Sequence, residues 1–303
     1  MQQSTTDLDR ALGFAIPSRS ARGRVVRLGP ALDQVLAAHA YPPAIEALLA
    51  EALTLAALIG STLKDPTGQL TMQTRTESGV VRLLVCDYRG GEVRGYIDYD
   101  ADKFAEMPEQ PTLFALFGQG YLAITFDLAA TGERYQGIVP LDGETLAQAA
   151  ESYFVQSEQI PSLVRVGITR DSEGHRIAGG LFLQHLPEGE VGRERLHTRL
   201  DHPEWEHVAA LGGTMGVDEL ADPALPLETL VWRLFNEEQE VRALASIPLS
   251  RGCRCTGDYI ASVLAKFTPE ERREMADENG LIQVDCAFCA TKFPIPAEAA
   301  AAA

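Results

Sequence analysis

The sequence predicts an α+β fold in three parts. These are an N-terminal mixed domain of antiparallel sheets and helices over 1–195, a helical linker region over 196–248, and a small C-terminal four-cysteine domain over 249–303. Strand-like runs before about 195 come in hairpin pairs with helices interleaved, so antiparallel pairing outweighs parallel crossovers. Beyond Leu196 the chain turns acidic and takes on helical apolar spacing. Four of the five cysteines then fall inside residues 251–293.

Each element has a local reason. "PPAIEALLAEALTLAALIGSTLK" (Pro42 to Lys64) follows two prolines and is apolar enough for a largely buried helix. "GQLTMQTRT" alternates Leu70, Met72 and Thr74 with polar neighbours, as a half-buried strand does. "VVRLLVCDYRGGEVRGYIDYD" reads as two strands around a turn at Arg89-Gly90-Gly91. "GYLAITFDL" and "RYQGIVPL" form another strand pair, "ETLAQAAESYFVQSEQ" a helix, and "SLVRVGITR" and "GGLFLQHL" two strands around "DSEGH". In the linker, "LETLVWRLFNEEQEV" is helical, while "GGTMG" and "DPALP" cut the region into short pieces. Such a layer packs on its neighbours, has little core of its own, and opens first. In the last part, Thr268-Pro269-Glu270-Glu271 opens a helix with an N-cap, a proline at the first position and a capping box. Gly280 suits its stop, and "LIQV" is a short strand running into Cys286.

Charge narrows the function. The net charge of −17 argues against nucleic-acid or anionic-membrane partners, which need a basic field. Between Leu196 and Ser250 ten acidic residues face three arginines, and Arg251 to Phe293 holds six basic and seven acidic residues. "MQQSTTDLDRALGFAIPS" lacks the pattern of a signal peptide, and the apolar run Ala52 to Gly60 is too short to span a bilayer. A cytoplasmic protein is expected. In a reducing compartment clustered cysteines are more often metal ligands or redox centres than static staples.

Cys286 and Cys289 have the two-residue spacing of a zinc knuckle, and Cys253 and Cys255 supply a second pair. Four thiolates complete a closed tetrahedral zinc site with no open position for water, so a hydrolytic metal is not expected. Around so small a core, the ion supplies folding free energy on the order of 10–16 kcal/mol. It also holds the sulfurs as thiolates, the form oxidants attack, and a helix beginning near Thr256 directs its positive end toward Cys255. Spacing alone leaves two readings open: a permanent structural zinc in an interaction or regulatory protein, and a site that loses its zinc on oxidation.

Other features read as structure. Cys86 in "RLLVCDY" is a buried small hydrophobe. His197, His202 and His207, spaced by five, share no helix face. Gly90-Gly91, Gly179-Gly180 and Gly212-Gly213 are expected at turns, and "SEQ" (Ser157 to Gln159) has no nucleophile elbow to support a triad. No P-loop is present, so nothing supports ATP hydrolysis, and an enzyme is not expected.

"CRC" and "CAFC", with thirty residues between them, resemble the redox-regulated 33-kDa heat-shock chaperonin family. "GSTLKDPTGQLTMQ", "GQGYLAITFD", "GERYQGIVPLDGETLAQAAESYFVQSEQIPS", "AGGLFLQHLP" and "VWRLFNEEQEV" resemble it too, in the family's order, from about Asp7 to Pro294. The resemblance implies an ATP-independent holdase, inactive when reduced with one zinc ion on Cys253, Cys255, Cys286 and Cys289. On oxidation it implies disulfides 253–255 and 286–289, loss of zinc, and unfolding of the last domain and the linker. Unfolded client proteins are then bound, and the active form is a homodimer. Leu230, Val231, Trp232, Leu234 and Phe235 are the candidate client-binding residues, an apolar group in an acidic surround.

Overall fold

The computed structural model describes residues 7–186 and 201–298. The expected boundary at 195, His197, the acidic run 188–194 and the end of the alanine tail lie outside them. The chain forms two units: one runs to Leu36 and from Tyr41 to Arg251, the other takes Ala37–Ala40 and the chain from Gly252.

The first unit is built on two six-stranded sheets. One pairs β1 (Arg10–Ile16), β2 (Ala21–Leu28), β9 (Arg176–His185) and β8 (Ser162–Arg170) in antiparallel order, and is here called the platform sheet. The other holds β3 (Gln69–Thr76), β4 (Val81–Arg89), β5 (Glu92–Tyr99), β6 (Gly120–Leu128) and β7 (Glu133–Pro140). Short helices α3 (Ala101–Ala105) and α4 (Leu113–Phe117) join β5 to β6. After α1 (Pro30–Leu36) comes α2 (Pro43–Gly60), entered from an extended Pro42 with Pro43 in its first turn. Its Leu49, Leu53 and Leu58 are fully buried in the main core with Val26, Phe182, Leu84 and Ile124. At 18 residues it is long and apolar enough to cross a bilayer, longer than the apolar run in the sequence suggests, but 72% of it is buried within the protein. α5 (Leu146–Tyr153) follows β7.

Strands β1 and β2 show no clear pattern in the sequence, because their arginines interrupt an apolar run that serves two buried faces. The expected helix over "ETLAQAAESYFVQSEQ" ends at Tyr153 and widens into a π-turn, Phe154–Glu158. Gly90 and Gly91 make the β4–β5 turn with positive φ, 57° and 91°. Gly179-Gly180 makes no turn. It lies inside β9, because a neighbouring backbone approaches Gly179 too closely for a side chain. Gly212-Gly213 likewise lies within a helix, the end of α6 (Pro203–Gly213).

The linker forms α6, α7 (Val217–Ala221) and α8 (Leu227–Phe235), broken where "GGTMG" and "DPALP" stand. These helices bury Trp205, Val208, Leu220, Leu230 and Phe235 against Leu12, Phe14, Val25, Leu181 and Leu183 of the platform sheet. The chain then adds β10 (Arg242–Ala243) and β11 (Ile247–Pro248) to β1, and β12 (Ser250–Arg251) in parallel to β5.

The second unit holds α9 (Gly257–Leu264), α10 (Pro269–Met275) and the hairpin β13 (Leu281–Asp285)–β14 (Lys292–Pro296). Its core is small: Leu264, Ile282, Ile295 and Ala297. Thr268 and Glu271 form the expected capping box. Gly280, at φ 74°, does not end α10 but turns the chain into β13, because the helix already stops at Met275.

Candidate metal centre

Two chain segments bring the cysteines together. β13 and β14 register Asp285 opposite Lys292, and the turn between them carries Cys286 and Cys289. Cys286 N–H donates to Thr291 O (3.0 Å), and Ala290 N–H donates to Cys286 O (2.8 Å). This knuckle needs a left-handed residue, and Ala290 takes it at φ 54°. Cys253 and Cys255 precede α9, whose Thr256 accepts from Tyr259 N–H (3.1 Å) as N-cap.

The four sulfurs lie within 4.8 Å of one another, and all four cysteines are free and half-buried. Cys253 Sγ is 3.2 Å from Cys255 Sγ and 3.6 Å from Cys286 Sγ, and Cys255 Sγ is 3.3 Å from Cys289 Sγ. A tetrahedron with ~2.3 Å metal–sulfur bonds has edges of ~3.8 Å, so the set fits a metal ion that takes four soft ligands. Burial alone raises the Cys289 thiol, but hydrogen bonds from the Thr291 hydroxyl and backbone and from Cys255 and Cys253 outweigh it, bringing it to about 6. Burial and then the neighbouring thiols push Cys255 well up, and burial raises Cys286. The group thus favours a thiolate at Cys289, and a cation is needed to hold Cys255 and Cys286 ionised beside it.

One residue against the knuckle has no signal in the sequence. His39, in Ala37–Ala40 of the same unit, hydrogen-bonds the backbone at Ala287 and Phe288, while burial lowers its pKa. A lone histidine more than two hundred residues from "CRC" cannot be assigned to it by spacing.

A family model described as Hsp33 protein matches residues 9–296. The chain belongs to the Hsp33 family. The 33 kDa chaperonin of Caulobacter vibrioides is 41% identical over 294 residues, covering 95% of this chain and 94% of that one. The 33 kDa chaperonin of Pseudomonas fluorescens is 35% identical over 288 residues, covering 95% and 90%. The crystal structure of the Hsp33 homologue of Thermotoga maritima superposes with a TM-score of 0.77 over 96% of both chains at 24% identity, a likeness of fold.

The other predicted residues lie in the first unit. Leu230, Val231, Leu234 and Phe235 are buried on the platform sheet, whereas Trp232 is 65% exposed. Trp232, Val231 and Phe235 border an open groove of about 300 Å³ with Glu228 and Glu238. Cys86 is fully buried, which raises its thiol well above the ordinary range. His202 caps α6 by accepting from Glu204 N–H, and His207 pairs with Glu238 (2.7 Å).

Proposed function

We propose that this chain is a redox-switched, ATP-independent holdase. Membership of the Hsp33 family supports a chaperone role, and the observation that carries the switch is the meeting of four sulfurs from two segments of a unit with a very small core. Cys253, Cys255, Cys286 and Cys289 hold one zinc ion in the reduced state. An oxidant such as hypochlorous acid takes two electrons from each of the pairs 253–255 and 286–289, leaving two disulfides and no thiolate to hold the ion. Folding energy on the order of 10 kcal/mol then leaves the C-terminal domain, 249–303.

The linker, 196–248, follows because it is tied to "CRC" through the short strands β10, β11 and β12. Release of α6–α8 uncovers the platform face together with Leu230, Val231, Trp232, Leu234 and Phe235, an apolar surface suited to unfolded clients. The mixed domain, 1–195, stays folded around α2. The active species is a homodimer in the cytoplasm, and its work is binding rather than catalysis.

The test measures zinc release, free thiols and suppression of a model client's aggregation in one preparation before and after hypochlorous acid. The expected result is one zinc released, four thiols lost and suppression gained. Zinc that stays bound, or equal suppression in both states, would assign the site to a permanent structural metal instead.

A further inference from the structure

The largest fully buried side chain in the described protein is charged. Arg27 projects from β2 into the interface between the platform sheet and the linker and has no exposed surface. Its Nε donates to Leu220 O (2.9 Å), Nη1 to Leu225 O (2.6 Å) and Nη2 to Glu219 O (3.4 Å). The nearest carboxylate oxygen paired with it, Asp7 Oδ2, stands 3.8 Å off. A guanidinium taken out of water is costly unless its donors are met, and here backbone carbonyls meet them.

The floor beside Arg27 is shaped for the same backbone. A Cβ on Gly167 of β8 would collide with the carbonyl of Val217, and one on Gly179 of β9 with that of Leu220. Bare glycine therefore lets the main chain of α7 lie directly on the sheet. Leu181, Leu183 and Val25 of the same apolar cluster complete the surface. The three hydrogen bonds from Arg27 to the linker all end on main-chain carbonyls, so they recognise polypeptide as polypeptide, while the Asp222 carboxylate of the linker adds its charge nearby.

We propose that Arg27 is a client-contacting residue: when the linker leaves, its guanidinium receives main-chain carbonyls of an unfolded polypeptide in place of those of Glu219, Leu220 and Leu225. The 217–225 segment is then an internal stand-in for client, and the site's ligand class is an apolar segment with unpaired carbonyls. The inference rests on the holdase reading, since it needs the linker to leave. Release strands a planar fork of donors on an apolar floor, where a client carbonyl gains a charge-assisted hydrogen bond that a methyl group in the same place does not offer. Backbone recognition also suits a binder that must accept many sequences.

The test uses the full chain, wild type and Arg27→Met, reduced and then oxidised with hypochlorous acid. Two probes are titrated: a chemically unfolded model client and a synthetic peptide of residues 216–228 of this chain. With the linker released in both proteins, as read by amide exchange of α6–α8, Arg27→Met should bind each probe about tenfold more weakly, the loss of a hydrogen bond to a charged group. A role confined to holding the linker predicts the opposite, namely easier release and client affinity equal to or above wild type, and that result overturns the proposal. Arg27→Lys keeps the charge, loses the fork and serves where the methionine variant fails to fold; its affinity should fall between the two, and wild-type affinity again overturns the proposal. Oxidised wild-type protein that releases its linker and binds the peptide but not client would overturn the holdase reading alone. Failure to bind the peptide after release would overturn the Arg27 assignment.

Discussion

The two faces of the platform sheet are both buried, but by different means. On one side α2 packs Leu49, Leu53 and Leu58 against Val26 and Phe182. On the other, α6–α8 bury a smaller apolar set and rely on charge at its margins. Arg10 pairs with Asp7 and Glu228, Arg19 with Glu204 (2.5 Å) and Glu238 (2.9 Å), and His207 with Glu238. Asp7 caps α8 by accepting from Leu227 N–H (2.5 Å). Apolar burial is indifferent to pH and hard to undo piecemeal, whereas polar clasps open one at a time. The same sheet therefore has a permanent cover and a removable one.

The largest effect should separate the covers. Leu53→Ala opens a cavity in the main core and should cost about 3 kcal/mol of global stability. Leu230→Ala removes a comparable side chain from the linker face, and its cost should appear as faster amide exchange confined to α6–α8. Exchange that rises throughout the first unit for both variants would mean that the two faces unfold as one.

pH offers a second division, with opposite signs on the two sides. Glu51 of α2 accepts from Ala147 N–H (2.9 Å) at the start of α5. Burial, only partly offset by the backbone of Ala147 and Leu146, pushes its carboxyl up to about 7 from an ordinary 4.5. The folded protein therefore holds a proton that the unfolded chain releases. Stability from that proton is complete below pH 4.5 and lost as pH rises through about 7. Glu51→Gln should consequently be the more stable protein above pH 7, by about 1 kcal/mol after discounting for partial solvent access, with the gap closing toward pH 4.5. A gap that is constant with pH in thermal unfolding would remove Glu51 from the account.

The linker side responds to acid instead. Burial raises the Glu238 carboxyl, but hydrogen bonds from Arg19 and His207 outweigh it, so its pKa lies below the ordinary 4.5. Arg19 lowers Glu204 as well. Stability from a lowered carboxyl is present above the unfolded value and lost as pH falls through the folded one. Below pH 4.5 the exchange of α6–α8 should rise before that of α2, and Glu238→Gln should remove much of this early rise. Simultaneous opening of both helices in acid would count against a separate linker clasp.

What was legible follows the range of the interactions. Cysteine spacing, the α8 apolar pattern, the Thr268 cap and the Gly90-Gly91 turn are local, and the sequence states them openly. Platform strands β1 and β2 are obscured because Arg22, Arg24 and Arg27 break the apolar alternation. Their partners lie far along the chain: Arg27 meets Leu220 across 193 positions, and Arg19 meets Glu238 across 219. Gly179-Gly180 is misread for the same reason, since the backbone that demands a bare glycine belongs to another part of the chain.

The smallest effect lies within α8 itself. Trp232 is 65% exposed, while Leu230, two residues before it, is fully buried. Trp232→Gln takes away a large apolar side chain that the folded protein scarcely covers. Its effect on stability should stay within about 0.5 kcal/mol, as for other surface changes. In the oxidised protein the same substitution should lower client affinity, because the uncovered indole is already at the edge of the released surface. If Trp232→Gln instead destabilises the reduced protein as much as Leu230→Ala, the groove bordered by Trp232 and Phe235 is part of the permanent fold. The removable cover would then be smaller than α6–α8.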